Sequence, residues 1–155
     1  MAEGHGRLAR RRLMEPRPRI GPGVAVGVTE EMIGRLVPAF YAKVRRDPVL
    51  GPIFEAAIGD WWDAHLAKLC DFWSSVMLMT GRFKGRPMPV HVAIPDIGPD
   101  HFARWLALFR ETAAEVCPPP AAALFEARAE MIAESLQLGI AVSRGELPPL
   151  GRTNA

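Results

Sequence analysis

Four side chains in this sequence carry polar atoms within otherwise apolar patterns, and they are His91, His65, Tyr41 and Trp105. His91 lies in "GRPMPVHVAIP", flanked by Val90 and Val92 and hemmed in by Pro89 and Pro95. So short a segment does not need a buried imidazole in order to fold, and burying one without a partner costs about 1–3 kcal/mol. The simplest partner is a metal or a cofactor, since neutral imidazole is a common metal ligand. His65 stands in "WWDAHLAKLCDFW". At ~100° per residue, His65, Leu69, Phe72 and Val76 share about 60° of a helical face, so His65 is expected to face inward with an apolar stripe. Tyr41, the only tyrosine, shares a stripe with Val37 and Val44, and Trp105 falls between Phe102 and Phe109 at steps of three and four. Taken singly, each reads as a partnered core residue. Together they suggest a pocket, with one strong ligand candidate on a short stiff segment and three donors on separate helices.

The elements that must position these side chains read as helices. In "VTEEMIGRLVPAFYAKVRRDP", Thr29 is an N-cap, Glu30 and Glu31 occupy the first turn, and Arg45 and Arg46 occupy the last, as the helix dipole favours. Pro38 falls inside this pattern and is expected to kink it. Asp47 and Pro48 open a short helix that carries Phe54 towards the core. A helix follows from about 60 to 79, then a one-turn helix around His91 closed by Pro95. The next helix is capped near Gly98 and Pro99 and stopped by Pro118, Pro119 and Pro120. The last, from about 119 to 144, aligns Phe125, Ala129, Ile132, Leu136 and Ile140 on one stripe. No period-two strand pattern occurs. The fold class is all-α, with four substantial helices and two short connectors.

At 155 residues the chain has the size of one domain with a real core. Its apolar runs fall well short of the roughly 18 residues a membrane span needs. An Arg-rich start without an apolar stretch is no secretory signal, so a soluble cytoplasmic protein is expected. Cys70 and Cys117 form neither CxxC nor CxxCH, which speaks against a disulfide framework or a covalently attached haem and for buried or semi-buried thiols. Residues 1–20 carry six Arg against Glu3 and Glu15, a net of +4, which leaves −2 for the rest. The expected layout is a basic, Pro/Gly-rich, disordered tail over 1–27, a folded domain over 28–144 and a C-terminal tail over 145–155. The tail lacks aromatics to stack on bases, so no specific nucleic-acid partner is expected.

Four stretches, "FYAKVRRDPVLGPIF", "HLAKLCDFW", "GRFKGRPMPVHVAIP" and "HFARWLALFRE", resemble in order and spacing the group III truncated haemoglobins. The resemblance covers roughly 28–142. It implies a shortened globin fold, a two-over-two helical sandwich around non-covalent haem b (iron protoporphyrin IX). It also implies His91 as the proximal iron ligand, with Tyr41, His65 and Trp105 as the polar residues of the distal pocket. Phe54 matches the phenylalanine on the haem face, and Leu69 the aliphatic neighbour one turn after His65. Phe40, Phe72, Ile94 and Phe102 complete the implied haem surround. The long basic N-terminus and the doubled Trp61 and Trp62 are departures from the family pattern.

Haem iron takes a neutral imidazole axially, and clamping prolines limit how far His91 can swing. On the opposite face, a polarised diatomic ligand such as O2 accepts hydrogen bonds from a tyrosine hydroxyl or an indole N–H, each worth about 1–3 kcal/mol in a dry pocket. Slow release suits reaction better than bulk transport. The implied ligands are therefore O2, NO, CO or peroxide, the implied chemistry NO dioxygenation or peroxide cleavage, and a reductase an implied partner. The alternative is a small all-α regulatory domain whose basic tail contacts nucleic acid. A haemless metal site built from His65, His91 and His101 finds no HxxxH or ExxH pair to start from. His101, near a helix start, is expected to be exposed.

Overall fold

The computed structural model describes residues 20–85, Ile94 and residues 97–145. His91 lies outside the described residues, as do the one-turn helix expected around it and the two chain ends. Among the described residues five α-helices form: α1 Glu30–Arg46, α2 Leu50–Ile58, α3 Trp62–Leu78, α4 Pro99–Val116 and α5 Pro119–Ser143. No strand occurs among the described residues, and no described helix is long and apolar enough to cross a membrane.

The helix ends follow local chemistry. The Thr29 hydroxyl accepts the Met32 N–H at 3.2 Å, capping α1 as its sequence predicts. Pro38 sits inside α1 and leaves the Gly34 carbonyl without its helical donor. Asp47 then turns the chain. Its Oδ2 accepts the backbone N–H groups of Val49 and Leu50 at 3.0 and 2.9 Å, which supplies the start of α2 with an acceptor. The same carboxylate pairs with Arg104 of α4 at 2.6 Å and is buried while doing so. Gly51 follows at a close approach, since a Cβ there would lie 2.6 Å from the Arg45 carbonyl oxygen. Gly98 opens α4 with Pro99 behind it, and Cys117 ends that helix in extended backbone before the prolines that start α5.

Packing sorts the helices into two layers. α1 lies against α3, α4 lies against α5, and the layers join where α1 crosses α4, with α2 bridging to α1 and α4. This is the expected two-over-two sandwich. The α1 stripe of Ile33, Leu36, Val37, Phe40, Tyr41 and Val44 is buried along its length. On α5, Phe125, Ala129, Leu136 and Ile140 are buried as expected and Ile132 is half-buried.

Two expectations need correction. The packed chain begins at least seven residues before residue 28. Val24–Val26 form a 3₁₀ turn, and Gly23 N–H donates to the Met77 carbonyl at 2.8 Å. A Cβ on Gly21 would stand 2.2 Å from that same oxygen, so glycines let this strap lie flat on the end of α3. The second concerns α3. Its fully buried residues are Trp62, Trp73, Ser74 and Met77, while the stripe of His65, Leu69, Phe72 and Val76 is only half-buried. Phe72 and Val76 border a groove of about 320 Å³ between α3 and α5, walled also by Met131, Ile132 and Leu136. Side chains such as Phe72 and Val76 that face a groove meet fewer neighbours than ones facing a packed helix.

Candidate functional site

The buried core divides in two. The larger part joins α1, α2, α3, α4 and the first half of α5. The smaller gathers Ile94, Ile97, Phe102, Ala133, Leu136 and Ile140. Trp105, Leu106 and Ile132 pack against both. At the seam runs an apolar cleft. Leu50 and Phe54 line it from the larger side, Ile97, Phe102 and Leu136 from the smaller, with Trp105 and His101 alongside. It encloses about 20 Å³, room for a single water.

Tyr41 stands beside Phe54 and Trp105 of that cleft and is 5% exposed. Its ring meets Phe40 at 4.7 Å, Phe54 at 6.0 Å and His65 at 5.7 Å between centroids, edge to face in each case. Burial pushes the Tyr41 hydroxyl up to about 12, against a partial lowering by its hydrogen bond with the Trp105 side chain. An indole has only an N–H to give, so Trp105 donates and the Tyr41 oxygen accepts. The Tyr41 proton then remains free to point elsewhere, and it stays in place across the ordinary pH range. Tyr41 and Trp105 thus stand in series, although they come from separate helices, α1 and α4.

His65 is half-buried, with its ring perpendicular to Tyr41 (87°) and to Trp62 (86°). Phe40 is fully buried behind the site, edge-on to both Tyr41 and Trp105, so it supports them from the core side. Phe54, Phe102 and Trp105 line the cleft itself. Ile94 is buried in the smaller cluster beside Phe102. Leu69 packs half-buried against the larger one. Phe72 stands apart, against Phe83 at 5.2 Å and on the α3–α5 groove.

Several neighbours give little sign of themselves in the sequence. Trp62 approaches Tyr41 at 6.0 Å and His65 at 5.9 Å. Its position three residues before His65 is the signal that could have found it. Leu50, Ile97 and Leu136 line the cleft but look like any other core residue in sequence. His101 is half-buried rather than exposed, because its Nδ1 folds back to accept the Gly98 N–H at 2.9 Å at the start of α4. Among the described residues no three His, Cys, Asp or Glu come together as a metal site. Cys117 is buried and Cys70 half-buried, and burial raises both thiols above their ordinary range.

Chemically, the arrangement offers an apolar slot between two halves of a core, with a protonated phenol, an indole N–H and an imidazole grouped along one side. The seam is apolar on both sides, so a flat apolar group could lie between the two halves of the core only where they part beyond the present 20 Å³, and the donors suit a small polarised ligand beside it. No protein-family model matches the chain. A curated relative, the group 3 truncated hemoglobin of Campylobacter jejuni, is 37% identical over 113 residues, covering 71% of this chain and 89% of the relative. The crystal structure of a group III truncated hemoglobin from Campylobacter jejuni superposes with a TM-score of 0.68 at 37% identity, again over 71% of this chain and 89% of that one. With this identity along nearly all of the relative, on the same helical sandwich, the chain belongs to the group III truncated hemoglobins.

Proposed function

We propose that the seam binds haem b non-covalently and that the protein takes O2 and other diatomic ligands for reaction, not for bulk transport. The observation that carries this reading is the buried Tyr41 hydroxyl, held by Trp105 at the edge of an apolar cleft and flanked by His65. The chemistry of the residues present fits the group, with the two halves of the core parting along the seam to admit it. Phe54, Phe102, Ile97 and Leu136 offer the apolar walls a porphyrin needs, and the polar residues lie to one side. The absence of a CxxCH motif makes the attachment non-covalent. His91 is the axial ligand in this reading. Ile94, three residues on in sequence, is buried with the walls of the cleft.

When bound, haem would supply an iron able to take a small diatomic ligand, and His91 would be the residue that holds that iron. The chain does the rest. Phe40 and Trp105 fix Tyr41, whose hydroxyl donates to the electronegative end of the ligand. Burial excludes water as a competing partner and strengthens that bond. His65 stands beside Tyr41, where it bears on access. The cost of releasing a ligand so held favours its conversion. O2 and NO with one electron give nitrate, and hydrogen peroxide with two electrons and two protons gives water, so a reductase partner is required in either case.

The test is to mix haem-loaded ferrous protein with NO in aerated buffer and measure nitrate. Nitrate forming faster than O2 is released, and slower after Tyr41→Phe, is the expected result. Free release of O2 with no nitrate, and no consumption of peroxide by the same protein, would leave simple ligand storage.

A further inference from the structure

α3 begins without a side-chain cap on its first turn. His65 lies only one turn in, at the end of a helix where orphan N–H groups invite fraying. What fixes this end is Trp62, the first residue of the helix and 6% exposed. Its indole Nε1–H donates to Glu55 Oε2 at 3.2 Å. The other carboxylate oxygen, Oε1, accepts from Arg45 Nε at 2.7 Å. The Arg45 guanidinium carbon stands 4.5 Å over the Trp62 ring, closing the loop as a cation–π contact. Three elements therefore meet on one indole: the last turn of α1, the body of α2 and the start of α3. The same indole also touches both His65 and Tyr41.

We propose that Trp62, clamped by Glu55 and Arg45, is the positioning residue that sets where the His65 imidazole rests, and so how readily a small ligand reaches the Tyr41 pocket. The proposal rests on the haem-pocket reading above. The Arg45 and Glu55 side chains are 47% and 43% exposed. An ion pair this open adds little to stability, so its removal should act on position more than on folding. Trp62 and His65 share a face at three-residue spacing, and a shift of the indole carries the imidazole with it.

The test uses the haem-loaded full chain with CO as the probe. Trp62→Phe keeps a ring beside His65 but cannot donate to Glu55, and Glu55→Ala removes the acceptor from a half-exposed site where folding is safe. Each should change the CO association rate about fivefold. Glu55→Gln, which still accepts from Trp62, should stay closer to the parent. In a His65→Leu background neither Trp62→Phe nor Glu55→Ala should have further effect, which a merely structural role would not produce. In the haem-free chain, amide exchange at residues 66–69 should quicken in both variants. The proposal is overturned if CO association is unchanged in Trp62→Phe and Glu55→Ala while His65→Leu changes it, or if their effects persist undiminished without His65. If no haem binds, or His65→Leu leaves CO association unaltered, the pocket reading fails instead. Unchanged amide exchange then overturns the clamp independently.

Discussion

The series arrangement of Trp105 and Tyr41 makes a quantitative demand on O2 release. Tyr41→Phe removes the group that donates to the ligand and leaves the ring contacts with Phe40, Phe54 and His65 in place. Loss of a buried hydrogen bond of about 1–3 kcal/mol should speed O2 release roughly ten- to a hundredfold. Trp105→Phe keeps an aromatic ring against Phe40 and Phe109 and removes the N–H that polarises the Tyr41 oxygen. Its effect should be smaller, about fivefold for a loss near 1 kcal/mol. Because the indole works through the phenol, that fivefold should fall below about twofold once Tyr41 is already Phe. Stopped-flow displacement of O2 by excess CO reads all four corners of this cycle, and release of the less polar CO should change much less throughout. If Trp105→Phe speeds O2 release equally in both backgrounds, the indole donates to the ligand directly. If neither substitution changes release by more than about twofold, the pocket is no donor cage.

Other outcomes follow from the same geometry. Tyr41 is the only tyrosine, so phenolate absorbance reports it alone; the folded protein should show no phenolate until the pH approaches about 12, and titration near the solvated value of about 10 would refute the buried hydroxyl. Since the folded state holds this proton more tightly than the unfolded chain, stability from this group is intact below about 10 and lost as pH rises towards about 12, by roughly 2–3 kcal/mol that Tyr41→Phe should abolish in alkaline denaturation. Arg104 and two backbone N–H groups hold the Asp47 carboxyl below its ordinary range, so its contribution is present at neutral pH and lost in acid as it protonates. Asp47→Ala should lower stability at neutral pH by about 1–2 kcal/mol, with a smaller difference from the parent in acid, as read by urea unfolding. Deleting residues 1–27 should lower the thermal midpoint, and Gly21→Ala should lower it too through the clash with the Met77 carbonyl; unchanged midpoints would show that the strap does not pack on α3.

What the sequence made legible was local. Thr29, Asp47, Gly98 and the three prolines after Cys117 act on residues within a few positions, so the helix boundaries could be read directly. Tyr41 and Trp105 sit on amphipathic patterns that leave one orientation open, and Phe54, expected only to reach the core, arrives beside Tyr41 on the short helix after Asp47. The misses were all between elements. Gly21 and Gly23 looked like coil because glycine in sequence gives no sign of whether it lies against a carbonyl from another helix. Trp62 looked like an irregularity in a doubled tryptophan, since its partners Glu55 and Arg45 come from two other helices. His101 looked exposed because a backbone acceptor role for an imidazole has no periodic signature. Half-buried Phe72 and Val76 mark the same limit: a helical wheel tells which residues share a face but not whether a helix or a groove lies opposite.

The most direct measurement is a haem titration of the purified chain followed by optical absorption, run in parallel on His91→Ala. The parent should take up one equivalent of haem and develop a Soret band that shifts on reduction and again on CO binding. His91→Ala should bind haem weakly or not at all, with added imidazole restoring both affinity and spectrum. A parent chain that takes up no haem, or a His91→Ala variant that retains haem with an unchanged spectrum and no added ligand, would contradict the assignment of this seam as a haem pocket held from His91.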